Sequence, residues 1–210
     1  MALASDLLEQ AYHLARREPK RPRQASLRRA VSTSYYALFH LLISEATLNW
    51  RQSSQRAALG RYFQHGSMAK APDKQKADCN RFLSSNPPPA PGPDRDCMTG
   101  LQTVSFAFYQ AYQQRQTADY DTAKQWTRTE ALAIIDSVDA AFKAWSDIRT
   151  ITDSHRTIYF LFLEILEEGD ELDGPQAHFA DRHATDVPVA WPADRNPAAG
   201  HARIVATGGW

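Results

Sequence analysis

Leu27-Arg-Arg-Ala-Val-Ser-Thr-Ser-Tyr-Tyr-Ala-Leu-Phe-His-Leu-Leu-Ile43 decides the fold, because this apolar run carries its polar residues at helical spacing. Tyr36 and His40 lie 7 and 11 residues beyond Arg29. At about 100° per residue, all three fall within roughly 20° of one meridian of a helix. Ser32 and Thr33 flank the same line. Burying a cation, a phenol and an imidazole down one stripe costs kilocalories unless each is paired. The stripe is therefore either an internal hydrogen-bond network or part of a site.

Working outward, the periodicity stays helical. Leu3, Leu7, Leu8, Ala11, Leu14 and Ala15 form an apolar stripe that ends before Pro19, and Pro22 delays the central helix to about Gln24. That helix should run to about Trp50, roughly 39 Å at 1.5 Å per residue. A shorter helical segment is expected over Ser54 to His65, continuing through Met68 to Leu83 with a break at Pro72. Ser84 to Gly100 contains Asn-Pro-Pro-Pro-Ala-Pro-Gly-Pro and is expected as an extended, exposed loop. Leu101 to Gln116 then places Leu101, Val104, Phe108, Ala111 and Tyr112 on one helical face, and Arg115 to Asp121 ends that helix. Thr127-Arg-Thr-Glu130 has the capping-box form and opens a helix through Ile134, Ile135, Val138, Phe142 and Trp145. A last helix is expected from Asp153 or Ser154, apolar nearly all round between Ile158 and Leu166. The expected fold class is all-α: an antiparallel helical bundle over residues 1–168, with the Pro-rich loop 84–100 inserted and an irregular tail over 169–210.

Composition narrows the function classes. The chain has 210 residues, 43% of them hydrophobic, enough for one well-buried core. Lys and Arg number 24 against 24 Asp and Glu, which excludes a globally basic nucleic-acid coat but leaves room for a local patch. Cys79 and Cys97 have no metal-ligand spacing and are too few for a disulfide scaffold, so a reducing compartment is expected. Asp6, Glu9, His13 and Arg16 interrupt the N-terminal apolar positions, and no stretch approaches transmembrane length. The expectation is a cytoplasmic protein with no membrane partner. His178, His183 and His201 fit no established ligand pattern, so neither metal nor cofactor is expected.

Leu27 to Ile43 and Arg115 to Asp121 together resemble the HEPN family (higher eukaryotes and prokaryotes nucleotide-binding), especially its small bacterial members. In those proteins an "RRA-S-YYA-FH" helix packs against a helix ending in "R-ADY". The resemblance covers residues 1 to 168 and leaves the tail unaccounted for. It implies a helical bundle that forms a homodimer or pairs with a nucleotidyltransferase-like protein. It also implies RNA or nucleotide as ligand, in a toxin-antitoxin or defence setting.

Ribonucleases of that family share an Arg-x(4 to 6)-His motif used without metal. Histidine moves a proton at the ribose hydroxyl or the leaving oxygen, and arginine stabilises charge on the phosphoryl group. Arg149 and His155 have this spacing, as do Arg195 and His201, but the second pair lies in the tail. Ile151 and Asp153 put a turn between Arg149 and His155, so they do not share one helical face. Arg61 and His65, at i and i+4 with Lys70 beyond and Arg56 before, can grip a phosphate, but a solvent-facing amphipathic turn in which Tyr62 and Phe63 do the packing is the favoured explanation.

Arg115 and Asp119 can close a helix end as a local ion pair while Tyr120 sends its hydroxyl into the bundle. Alternatively, Asp119 reaches Arg29 or His40 and raises the histidine's pKa. The candidate ligand contacts are thus Arg29, Tyr36, Arg56, Arg61, Lys70 and Arg115, with Ser32, Tyr35, Asp119 and Tyr120 orienting them. The candidate acid-base groups are His40, His65 and His155, with Arg149. These residues favour a binding module. A metal-independent endoribonuclease and a structural subunit are the alternatives.

Overall fold

A computed structural model describes residues 2–48, 53–61, 68, 77 and 79–151. Helices are α1 (Ala2–Arg16), α2 (Gln24–Leu48), α3 (Arg56–Leu59), α4 (Pro93–Tyr120) and α5 (Arg128–Thr150), with a 3-10 turn at Ser53–Gln55. No strand occurs among the described residues, so the protein is all-α over that range. None of these helices is long and apolar enough to cross a membrane. The expected helix from residue 153, the tail over 169–210, and His65, Lys70 and His155 lie outside the described residues.

Helix α2 packs against α1, α4 and α5, and α5 also packs against α1 and α4. Of its 25 residues 16 are buried, which is why its apolar run is nearly continuous rather than confined to one stripe. Two of the buried hydroxyls on this helix are satisfied locally. Ser34 donates to the Val31 carbonyl at 2.8 Å, and Thr47 to the Ser44 carbonyl at 3.1 Å. Tyr35, fully buried, meets Phe39, Phe108 and Tyr112 at centroid distances of 5.8, 5.5 and 5.9 Å. The aromatic face expected on the fourth helix is thus turned onto α2, where it buries large apolar areas in tilted ring contacts.

Side-chain contacts fix the helix directions. Gln24 and Trp126 pair at one end, and Glu45 and Arg149 at the other, so α2 and α5 run parallel. Tyr12 donates to Asp136 at 2.7 Å, and Arg128 at the start of α5 donates to Ala15 and Pro19 carbonyls at the end of α1 at 3.2 and 2.8 Å. Helix α1 is therefore antiparallel to both α5 and α2. Arg28 near the start of α2 meets the end of α4, so those two are antiparallel as well.

One end of the bundle is held by three polar side chains. Arg28 donates to the carbonyls of Ala118, Asp121 and Lys124 at 2.9, 2.8 and 2.6 Å, placing a cation on the negative end of α4 and pinning the connection to α5. Gln24 brackets Trp126, donating to its carbonyl and accepting from its backbone N–H, both at 2.8 Å. Beneath these contacts Leu27, Val31, Ala118, Trp126 and Ala131 form a small apolar cluster of their own. Arg128 adds the Glu18 carbonyl to its acceptors on the α1–α2 connection.

Two boundaries differ from the sequence expectation. Helix α4 starts at Pro93 rather than Leu101, so the Pro-rich loop shrinks to 84–92. Proline at the first helical position loses only a backbone N–H that would have been unpaired, and Asp94 and Asp96 in the first turn favour the positive end of the helix. The same helix ends at Tyr120, within the Arg115 to Asp121 stretch expected to end it, and Arg115 and Asp119 pair across its last turns. The segment expected as a helix over 54–65 is a 3-10 turn followed by the single turn of α3, with 62–67 outside the described residues.

The capping box at α5 is formed as the sequence predicts. Thr127 accepts from the Glu130 backbone N–H at 3.2 Å, and Glu130 accepts from the Thr127 backbone N–H at 2.7 Å. Lys124 donates to the same carboxylate at 2.6 Å, and chiefly through that hydrogen bond the Glu130 pKa falls to about 2. A depressed carboxyl pKa stabilises the fold above the unfolded value and not below the folded one. The stability gap between the protein and Glu130→Gln should therefore be full above about pH 4.5 and close as pH falls toward 2. Urea midpoints at pH 7, 4 and 3 check this; a gap independent of pH would contradict it.

Candidate functional site

The polar stripe of α2 faces a groove. Leu3, Leu7, Gln10 and Leu14 of α1 form one wall and Arg29, Thr33, Tyr36 and His40 of α2 the other, around an open volume of ≈ 430 Å³. The 7- and 11-residue spacing brings these α2 residues to one line, and the line lies where α2 is least covered. Because α1 and α2 are antiparallel, Leu3 sits toward the His40 end and Leu14 toward the Arg29 end.

Arg28 and Arg29 are adjacent and do opposite things. Arg28 is consumed by three carbonyls, whereas Arg29 is exposed and makes no hydrogen bond or ion pair among the described residues. An unpaired guanidinium beside an open groove offers its planar donors to an anion. Tyr36 is half-buried, and its hydroxyl accepts from Arg115 at 3.2 Å. Arg115 itself stands behind the groove, its side chain 13% exposed, with Nε 2.8 Å from Asp119. Its guanidinium lies 6.0, 5.7 and 5.8 Å from the ring centroids of Tyr35, Tyr36 and Tyr120, so its charge is met by aromatic faces as well as by the carboxylate. Asp119 also accepts from Ser32 at 3.4 Å. Ser32, Asp119, Arg115 and Tyr36 form a chain that fixes the phenol in the groove wall.

Asp119 reaches Ser32 and Arg115, and not Arg29 or His40 as one alternative reading expects. The consequence is visible at His40. Burial, with no carboxylate to offset it, lowers its pKa from the ordinary value, so the imidazole is neutral at pH 7. It lies edge-on to Phe39 at 5.5 Å and presents an aromatic, uncharged surface to the groove. Tyr120 also departs from expectation. It is 71% exposed, because the last turn of α4 has passed the end of the core, and its hydroxyl does not enter the bundle.

The remaining candidates lie elsewhere. Arg149, on the last turn of α5, donates to Glu45 at 3.0 Å; Glu45 is 1% exposed. Glu45 follows His40 by five residues, about 140° around the helix, so this pair faces α5 rather than the groove. Arg56 lies on α3, and Arg61 is exposed just after it. Neither is among the groove-lining residues. Among the described residues no group of His, Cys, Asp or Glu is arranged to hold a metal. Sequence reasoning missed Arg28, Gln10 and Glu45. Arg28 carried a signal, since it shares a face with the buried Ser32 and Tyr35 at i+4 and i+7.

Comparison with protein-family models, curated proteins and solved structures finds no match to this chain. The site is therefore read from its own chemistry.

Glu45 has one carboxylate oxygen on Arg149, while Oε2 has no hydrogen-bond partner among the described residues. Removing the cation strands a buried charge, a loss moderated here because Arg149 is 38% exposed. Arg149→Met should lower stability by about 2 kcal/mol, and the Glu45→Met, Arg149→Met double variant should lose less than the single one. Urea denaturation of both proteins measures this. Unchanged stability in Arg149→Met would show that the pair contributes nothing.

Proposed function

We propose that this chain is a HEPN-like helical binding module that holds RNA or nucleotide in the groove between α1 and α2. The observation that carries the reading is the exposed Arg29, unpaired among the described residues, at one end of a groove whose other groups are phenol, imidazole, leucine and the uncharged Gln10 and Thr33. A cation for phosphate next to aromatic and apolar surface for a base is the combination nucleic-acid sites use. In this reading Arg115, Asp119 and Ser32 position Tyr36 and do not touch the ligand. The resemblance of Leu27 to Ile43 and Arg115 to Asp121 to HEPN sequences supports the same ligand class and suggests a homodimer or a nucleotidyltransferase-like partner, in a toxin-antitoxin or defence role.

Within the groove, binding is favoured over cleavage on geometric grounds. Arg29 and His40 are separated by 11 residues of helix, about 16 Å of rise, and Arg29 leans away from His40 toward the helix N-terminus. They are too far apart to act together on one phosphoryl group, which is what metal-free cleavage by a histidine and an arginine needs.

Fluorescence anisotropy with a labelled mixed-sequence single-stranded RNA in EDTA tests the proposal. Arg29→Glu should weaken binding about tenfold or more without lowering the thermal midpoint. Equal affinity in wild type and Arg29→Glu, or no binding by wild type, would contradict it, and shortened RNA products would point to the nuclease alternative.

A further inference from the structure

The groove is long and its chemistry differs from end to end. Arg29 and His40 lie about 16 Å apart along α2, with Tyr36 about 6 Å from His40 on the same line. Along the facing wall Leu3, Leu7 and Leu14 span 11 residues of α1, a matching length. Charge is confined to the Arg29 end, because His40 is uncharged at neutral pH and Arg115 is committed to Asp119 and Tyr36. The other end is aromatic and apolar.

We propose that this groove takes a single-stranded RNA segment of about three to five nucleotides lengthwise, one phosphate resting on Arg29 and a base lying against Tyr36 and His40. The inference rests on the RNA- or nucleotide-binding reading and specifies its substrate. A span of about 16 Å equals about five steps of a stacked strand at roughly 3.4 Å each, and fewer steps of an extended one. A mononucleotide reaches only one end at a time. It can place its phosphate on Arg29 or its base on Tyr36 and His40, but not both. A duplex fits poorly, since its base faces are hidden in the stack and the leucine wall would meet only sugar and phosphate. A segment splayed out of a duplex offers both groups at the required separation. The Gln10 side-chain amide, on the facing wall between the two ends, has donors and an acceptor for a ribose hydroxyl.

One phosphate contact also sets the salt dependence. Each neutralised phosphate of a single strand contributes a slope of about −0.7 in log affinity against log salt, so Arg29 alone makes binding only weakly salt-dependent. Most of the affinity then comes from stacking.

The test uses the full chain and a length series: uridine and adenosine monophosphate, then oligoadenylates of three, five and ten nucleotides, then a ten-base-pair RNA duplex. Calorimetry or anisotropy should show affinity rising about tenfold or more from mononucleotide to pentanucleotide and levelling off beyond it. The duplex should bind at least tenfold more weakly than the pentanucleotide. His40→Ala should weaken the pentanucleotide about tenfold and leave its salt slope unchanged, while Arg29→Ala should lower that slope by about 0.7. Mononucleotides binding as tightly as the pentanucleotide would overturn the lengthwise arrangement and leave the binding function standing. Equal duplex affinity would overturn the single-strand specificity. No binding of any of these RNAs to the wild-type chain would remove both proposals.

Discussion

Everything in this fold depends on burying α2 against three neighbours at once. A helix surrounded by α1, α4 and α5 has little surface left, and what remains is one narrow line along its side. Apolar residues and a few paired polar groups occupy the covered faces, where an unpaired polar group would cost kilocalories. Polar groups on the covered faces are paired, Ser32 with Asp119 and Glu45 with Arg149, and the uncovered line carries Arg29, Tyr36 and His40. The groove is thus a consequence of how the bundle closes.

The neighbouring arginines show how one residue's displacement around the helix separates stability from function. A step of about 100° turns Arg28 toward the end of α4 and Arg29 toward the groove. Arg28 acts as a clasp on three carbonyls at the same end of the bundle where Gln24 holds Trp126 and Arg128 holds the α1 terminus. That end is rigidly fixed by hydrogen bonds with charged or bidentate geometry. Arg115 performs a related service from α4, holding Tyr36 in place while staying out of the groove.

Much of this was legible in the sequence, for identifiable reasons. The end of α1 before Pro19, the position of α2, the capping box at Thr127 and the alignment of Arg29, Tyr36 and His40 follow from periodicity and cap chemistry, which are local. What escaped depends on neighbours. No local pattern says that Asp119 would find Ser32, that Glu45 would be buried beside Arg149, or that α1 would supply Leu3, Leu7 and Leu14 as the facing wall. The start of α4 at Pro93 is hidden in the sequence because the prolines before it obscure the one that begins the helix.

The central claim is the division of labour between Arg28 and Arg29, and thermal unfolding of Arg28→Ala and Arg29→Ala side by side tests it most directly. Arg28→Ala should lose about 1.5–3 kcal/mol, with the midpoint falling several degrees, since it frees partly buried carbonyls at the α4 terminus. Arg29→Ala, having no partner to lose among the described residues, should melt within a degree or so of wild type. Equal destabilisation by the two substitutions, or a larger loss from Arg29→Ala, would contradict the account.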